Sequence, residues 1–514
     1  MTNTTIIPNT TIDSQLTSII EEWCPQLLQF DSKLKASILN SPLWIWVLFY
    51  VSIVLLVIKF YVSRVVNICK LIPGKNTAEF EFEFESDQKQ DKSTRTRKNL
   101  SVAGLIDLKI PEFRNNAISI FNLFFIGGHL QTMFAAVRNF RFSDQLYFGR
   151  RVVRFEDGGS ASLDMVITKE SYQSVQVSKT DIPEGQHELS SSTKTRYFTK
   201  QELKEQDNST DDTPILIILH GLSGSSAESY CRCVLSRACY KYGFQGYVLN
   251  SRGCGETELT SPSLFCGLWT DDLREVIRNF KKTQPQRDIY VAGFSLGSSI
   301  LGNYLTQEGE NSGIKLAVML ASLWDLSTSF AFMSSGFLSN NLYLPVMTVP
   351  LVELCQKHFK MLSRNPIFVK NFTKENLKKV HRLKDFDDLI TSKIFGFNCG
   401  NEYYRTASSR NGIFKIRTPL ISIGAEDDPI IGGDSFQAIP YDEASLNPFI
   451  TLINTSLGGH CAWFKWNNER WYAEPLAKLF SEFHLRCKSD PIVKKEELPV
   501  ENKFKNGRLV GPFF

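Results

Sequence analysis

Short apolar runs recur along the chain at 215–219 (ILIIL), 247–250, 289–292, 316–320, 420–423 and 449–453, most of them rich in aliphatic or β-branched residues. They are continuous rather than alternating, as strands covered on both faces are. Helical spacing, such as that over 270–281, fills several of the gaps between them. Strand and helix in turn predict an α/β fold, a mainly parallel sheet with helices on both faces. Upstream, 150–155 (RRVVRF) and 162–168 read as an opening antiparallel pair around the turn Asp157-Gly158-Gly159.

One apolar run is of a different kind. Residues 43–62 carry a single charge, Lys59, and Trp44, Trp46, Tyr50 and Tyr61 lie mostly towards the ends. About 20 residues is the length a helix needs to cross a bilayer, and interfacial aromatics mark its borders, so the pattern predicts one N-terminal transmembrane helix. Lys59, Arg64, Lys70 and Lys75 accompany or follow the span, with no acid before Glu79, whereas 1–42 holds Lys33 and Lys35 against Asp13, Glu21, Glu22 and Asp31. Basic flanks stay cytoplasmic, which predicts a single-pass protein of an endomembrane such as the endoplasmic reticulum, with its C-terminal part in the cytosol. Sequons at Asn3 and Asn9 agree with that orientation; others at Asn99, Asn208, Asn371 and Asn454 fall on the opposite side.

The remaining polarity pattern divides the chain into an N-terminal segment 1–42, the span 43–62, a linker 63–100, a large folded domain 101–488 and a tail 489–514. The alternating EFEFEFE that starts at Glu79 is assigned to the linker because mixed charge follows it. The polar stretch 183–212 reads as a surface insertion. Between 320 and 420 the chain is too long for one crossover, and residues about 325–415 are expected to form a helical cap opening with FAFMSSGFLSNNLYLPVMTVPLVEL.

Composition narrows the chemistry. A formal charge of +4 over 514 residues, without a basic stripe interleaved with aromatics, gives no reason to expect nucleic acid. The 11 cysteines form no C-x-x-C pair and read as free thiols or odd pairs in a reducing compartment. Thirty-eight phenylalanines point to an apolar ligand. Neither a metal nor a nucleotide cofactor is expected: there is no H-E-x-x-H, no paired Cys/His spacing and no phosphate-cradling glycine loop.

GFSLGSS, 293–299, follows the run 289–292 directly and precedes a helix-compatible stretch. G-x-S-x-G in that setting forms a sharp elbow that exposes the serine hydroxyl at the sheet edge, so Ser295 is the candidate nucleophile. A serine needs a base, and the base an acid to hold its tautomer. His460 follows the last apolar run, and Asp427 or Asp428 the one before it. Asp428, next to Pro429 and followed by Ile430 and Ile431, is favoured over Asp427. His220 also abuts a glycine at a strand end, in HGLSGSS, but such a turn supplies oxyanion donors. The backbone N–H groups of Leu222 and Leu296 take that role, with His220 packing the turn.

Read in order, GGHLQT (127–132), DGGSASLD (157–164), HGLSG (220–224), NSRGCG (250–255), TDDLREV (270–276), GFSLGS (293–298), YYRTAS (403–408), EDDP (426–429) and GGHCAW (458–463) resemble the membrane-anchored α/β-hydrolase-domain lipases and esterases. That group includes monoacylglycerol and phospholipid lipases, plant embryogenesis-associated proteins and yeast medium-chain ethyl-ester synthase/esterases. The resemblance implies the α/β-hydrolase fold, a triad of Ser295, Asp428 and His460, an N-terminal anchor and acyl lipid esters as substrates. Some members carry an H-x-x-x-x-D acyltransferase motif, and no histidine here has an aspartate five positions on. The expected function is a serine lipase or carboxylesterase that works through an acyl-enzyme, with short alcohols able to replace water. The alternative is a catalytically silent, hydrolase-like lipid receptor or scaffold.

Overall fold

The computed structural model describes residues 42–85, 95–138, 140–433, 437–493, 498, 504–505 and 508–509. The N-terminal segment with Asn3 and Asn9, and most of the tail 489–514, lie outside them. The chain divides into two units, Met1–Ser63 and Arg64–Phe514. The first contributes one described helix, α1 (Leu43–Val62), whose 20 residues rise about 30 Å. By length and composition it suffices to cross a membrane.

Among the described residues the second unit is built on an 11-stranded sheet. Its strands are β1 (Val66–Pro73), β4 (Ile118–Ile120), β5 (Tyr147–Arg154), β6 (Ser160–Ile167), β7 (Thr195–Tyr197), β8 (Ile215–Leu219), β9 (Gln245–Asn250), β10 (Ile289–Phe294), β11 (Leu316–Leu320), β12 (Leu420–Ala425) and β13 (Ile450–Thr455), with β2 (Glu79–Glu85) and β3 (Arg95–Ser101) forming a separate hairpin. They lie in the order β4-β1-β13-β12-β11-β10-β8-β9-β6-β5-β7. The block from β13 to β9 is parallel throughout. Every residue of β8, β10, β11, β12 and β13 is buried, which is why these runs lack alternation. The opening pair forms as expected, β5 antiparallel to β6.

Helices cover both faces. The ones that matter for the site are α2 (Gly127–Val137), α3 (Ser229–Tyr242), α4 (Asp271–Thr283), α5 (Leu296–Glu308), the cap helices α6 (Leu326–Ser335), α7 (Leu344–Lys357) and α8 (Gly400–Ala407), and α9 (Ala473–Arg486). Two hydrophobic clusters, one on each side of the sheet, form the core.

The segment 63–100 is not a linker. β1 joins the main sheet, paired antiparallel with β13 and β4. β2 (Glu79–Glu85) and β3 (Arg95–Ser101) form a hairpin. The alternation sends Phe80 and Phe82 inward against Phe483 of α9, at ring distances of 5.5 and 5.8 Å. The glutamates face outward, where Glu83 pairs with Arg95 at 2.8 Å and Glu81 with Arg97 at 3.0 Å. The polar insertion also carries structure: β7 is wholly buried and lies parallel to β5. The Arg196 charge is tolerated there because Glu202 meets it at 2.6 Å.

Candidate active site

Ser295 sits between β10 and α5 with φ 51° and ψ −119°, a left-handed conformation that a side chain rarely adopts. The turn is possible only because its flanks are bare. A Cβ on Gly293 would lie 2.5 Å from the Gly297 carbonyl oxygen, and one on Gly297 would lie 2.4 Å from that of Leu219. The elbow is pinned by the Ser295 N–H donating to the Leu320 carbonyl at 3.0 Å.

His460 Nε2 lies 2.8 Å from Ser295 Oγ, and its Nδ1 lies 2.9 Å from Asp428 Oδ2. A carboxylate only accepts, so the proton sits on Nδ1 and Nε2 is free to accept from the serine hydroxyl. Asp428 is 2% exposed, and its other oxygen, Oδ1, accepts from the Ile430 and Ile431 N–H groups at 2.8 and 3.1 Å. Both oxygens of the acid therefore have fixed duties.

Asp427 is placed elsewhere: its Oδ1 accepts from the Gly459 N–H at 2.9 Å, and Oδ2 is buried with no hydrogen-bond partner among the described residues. Burial, reinforced by the neighbouring Asp428 charge, pushes its carboxyl up to about 7. The two adjacent aspartates thus divide the work, one touching the imidazole and the other the loop that carries it.

That loop has a second support that sequence reasoning missed. Thr132 Oγ1 accepts from the His460 N–H at 2.9 Å while donating to the Gly128 carbonyl at 2.7 Å. A Cβ on Gly128 would come within 1.9 Å of the Asp427 carbonyl oxygen, so α2 docks through a bare glycine. GGHLQT supplied the signal, as a motif whose purpose sequence alone does not reveal.

His220 cannot act as the base. Its Nδ1–H donates to the Gly221 carbonyl at 2.7 Å and its Nε2 accepts from the Ser251 N–H at 3.0 Å, so both ring nitrogens are used. Burial holds its pKa down at about 4. Among the other histidines, His129 meets the Tyr343 hydroxyl at 3.0 Å and His358 the Gly253 carbonyl at 2.9 Å. His187 faces Glu258 and His484 faces Asp288, while His381 is exposed.

The HGLSG turn lies against Ser295: a Cβ on Gly221 would stand 3.3 Å from Ser295 Cβ. Leu222 and Leu296 line the same cavity as Ser295, and neither backbone N–H has a hydrogen-bond acceptor among the described residues. A buried network holds this turn. Asp164 takes Arg150 at 2.7 Å, Ser226 Oγ at 2.6 Å and Asn250 Nδ2 at 2.8 Å, and Asn250 in turn accepts from the Ser226 N–H. The arginine of NSRGCG is structural as well. Arg252 bonds Asp157 and Asp272 and stacks within 5 Å of Phe155 and Trp269.

Ser295 opens onto a cavity of about 100 Å³ whose walls come largely from the cap, among them Phe330, Met333, Met347, Leu351 and Leu354. All five lie in the stretch expected to open the cap. The arrangement offers an activated hydroxyl, a base with a fixed tautomer, two unengaged N–H donors and an apolar enclosure. Among the described residues no cluster of His, Cys, Asp or Glu could hold a metal ion, and the ten described cysteines are free.

A family described as the alpha/beta hydrolase fold matches residues 214–462. A monoacylglycerol lipase of Saccharomyces cerevisiae is 37% identical over 388 residues, spanning 75% of this chain and 85% of that protein. A medium-chain fatty acid ethyl ester synthase/esterase of the same yeast is 33% identical over 403 residues, spanning 73% of this chain and 88% of that protein. A Bos taurus phospholipase is 29% identical over 274 residues, spanning 52% of this chain and 63% of that protein. With a sheet, an elbow and relatives of this kind, the chain belongs to the α/β-hydrolase-domain family of lipases and esterases.

Proposed function

We propose that this protein is a membrane-associated serine hydrolase that cleaves acyl lipid esters, with monoacylglycerols and medium-chain fatty acid esters as its first candidates. The observation that carries the reading is the hydrogen-bonded series Asp428, His460, Ser295 facing an apolar cavity. The names of the two yeast relatives support the choice of substrates. A silent lipid receptor has no use for a serine held in left-handed backbone against a base.

In the proposed reaction, His460 Nε2 takes the Ser295 proton as Oγ attacks the ester carbonyl, and Asp428 stabilises the imidazolium. The N–H groups of Leu222 and Leu296 receive the developing oxyanion, which is worth about 3 kcal/mol per donor lost in comparable sites. His460 then protonates the departing alcohol, leaving an acyl-enzyme. Water, activated by the same histidine, releases the fatty acid; a short alcohol in its place would yield a new ester.

The helix α1 is the proposed anchor, and the basic residues that follow it support a catalytic unit in the cytosol on an endomembrane. The test of function is labelling by a fluorophosphonate probe, together with hydrolysis of monoacylglycerols, phospholipids and ethyl esters by the full chain. Labelling of the wild type that disappears in Ser295→Ala is expected. A wild type that neither labels nor turns over any of these esters refutes the proposal.

A further inference from the structure

The cavity in front of Ser295 is not uniformly apolar. One wall carries Asp387, only 6% exposed, in a π-helical turn (Asp387–Thr391) of the cap. Its oxygens accept from Thr391 Oγ1 and from the Tyr404 hydroxyl, both at 2.6 Å. No ion pair to Asp387 forms among the described residues, and burial raises its pKa to about 6. A carboxyl kept in an oily pocket with two neutral hydroxyls as its hydrogen-bond partners costs stability, and π-turns of this kind gather at functional sites.

A second polar group lines the same cavity. Ser329 on α6 is 1% exposed, and its Oγ has no hydrogen-bond partner among the described residues. The next residue, Phe330, stacks on Tyr404 at 5.2 Å, which brings the α6 wall against the tyrosine that serves Asp387. Each carboxylate oxygen can accept two hydrogen bonds and receives one here, while the serine can both donate and accept. Both residues line the cavity that the substrate would fill.

We propose that Asp387 and Ser329 form a polar subsite that binds a free hydroxyl group carried by the ester substrate, so that the cap selects hydroxyl-bearing esters over plain ones. This rests on the hydrolase reading above. The hydroxyl donates to Asp387 and accepts from Ser329 Oγ. It could belong to the alcohol part, as in a monoacylglycerol, or to the acyl chain, as in a hydroxyacyl ester. A site built to bond a hydroxyl penalises the analogue that lacks it, because its own buried groups are then left unpaired.

The experiment measures kcat/KM of the full chain for three probes of equal chain length: ethyl decanoate, monodecanoylglycerol and the ethyl ester of hydroxydecanoic acid. Each hydroxyl-bearing probe is expressed as a ratio to ethyl decanoate, so a general loss of activity divides out. In Asp387→Asn and in Ser329→Ala one of the two ratios is expected to fall by about tenfold, the size of a lost hydrogen bond to a charged or buried partner. The monoacylglycerol ratio falling assigns the hydroxyl to the alcohol part, and the hydroxyacyl ratio falling assigns it to the chain. Ser329→Ala breaks no hydrogen bond found among the described residues, so it keeps the test valid if Asp387→Asn fails to fold. Ratios unchanged from wild type overturn the subsite and leave the hydrolase standing. A wild type inactive on all three probes overturns the hydrolase reading and the subsite with it.

Discussion

Replacing Asp428 by asparagine asks which of two adjacent acids serves the histidine, and the structure fixes the orientation of the new amide. Oδ1 accepts from two backbone N–H groups, those of Ile430 and Ile431, at 2.8 and 3.1 Å. The asparagine carbonyl must stay there, which turns its NH2 group onto the position of Oδ2, 2.9 Å from His460 Nδ1. The amide then donates where the carboxylate accepted, so the imidazole proton moves to Nε2 and points at the serine. The base is lost by tautomer alone. In a serine triad that error costs about ten-thousand-fold in kcat, or about 5.5 kcal/mol of transition-state stabilisation. Flipping the amide gives no escape, because it sets NH2 against two buried N–H donors at about 1–3 kcal/mol each. The assay is stopped-flow acylation with a p-nitrophenyl ester, alongside Asp427→Asn. The latter keeps an acceptor for the Gly459 N–H and is expected to stay within about tenfold of wild type, since a neutral amide resembles the carboxyl that burial favours there. Asp428→Asn within tenfold of wild type, or Asp427→Asn as the more damaged of the two, refutes the assignment.

Other outcomes follow from the same geometry. Gly297→Ala forces a Cβ to 2.4 Å from the Leu219 carbonyl oxygen, and should lower stability by about 2–3 kcal/mol in urea unfolding. Phe82→Ala empties a wholly buried position of the hairpin and should cost about 3–5 kcal/mol, whereas truncation of a true linker residue would cost nothing. The Asp427 pKa is raised from 3.8 to about 7 in the folded state, so the native chain binds the proton more tightly than the unfolded one. Its ionisation therefore erodes stability as pH climbs between those values, and Asp427→Asn should match wild type in melting temperature near pH 4 and exceed it above pH 7. Removal of residues 1–62 should shift the protein from the membrane pellet to the supernatant on fractionation; retention in the pellet would show that α1 is not the sole anchor.

What could be read in advance follows a physical divide. Runs such as 215–219 and 316–320 were legible to the residue because a strand buried on both faces leaves no polar position to blur its ends. That Ser295, His460 and Asp428 would be brought together was legible because each follows a strand of one parallel block. EFEFEFE was misjudged because its period says strand while its charge says solvent. The decision lies with the pairing of Arg95 and Arg97 across the hairpin and with Phe483, some 400 residues away, which no local window contains. Thr132 shows the same limit at the site itself. A threonine on a helix carries no chemical signature, and its acceptance of the His460 N–H spans 328 residues.

The sheet order explains why a cap of this length does not disturb the chemistry. Neighbours β13, β12, β11, β10 and β8 run parallel, so the loops after them emerge along one edge. His460 follows β13, Asp428 β12, Ser295 β10 and the HGLSG turn β8, whereas the cap leaves the end of β11, between Asp428 and Ser295. Triad distances are thereby set by strand spacing and register, which a core buried on both faces holds rigidly. The cap is a connection between two strands that are hydrogen-bonded to each other, and the entropy of closing such a connection grows only slowly with length. Residues of the cap can therefore change without moving Ser295 relative to His460. The proposed control of substrate choice by the lining residues Phe330, Met347, Ser329 and Asp387 is mechanically separable from bond cleavage, so variants in these walls should alter which ester is cut before they alter whether any ester is cut.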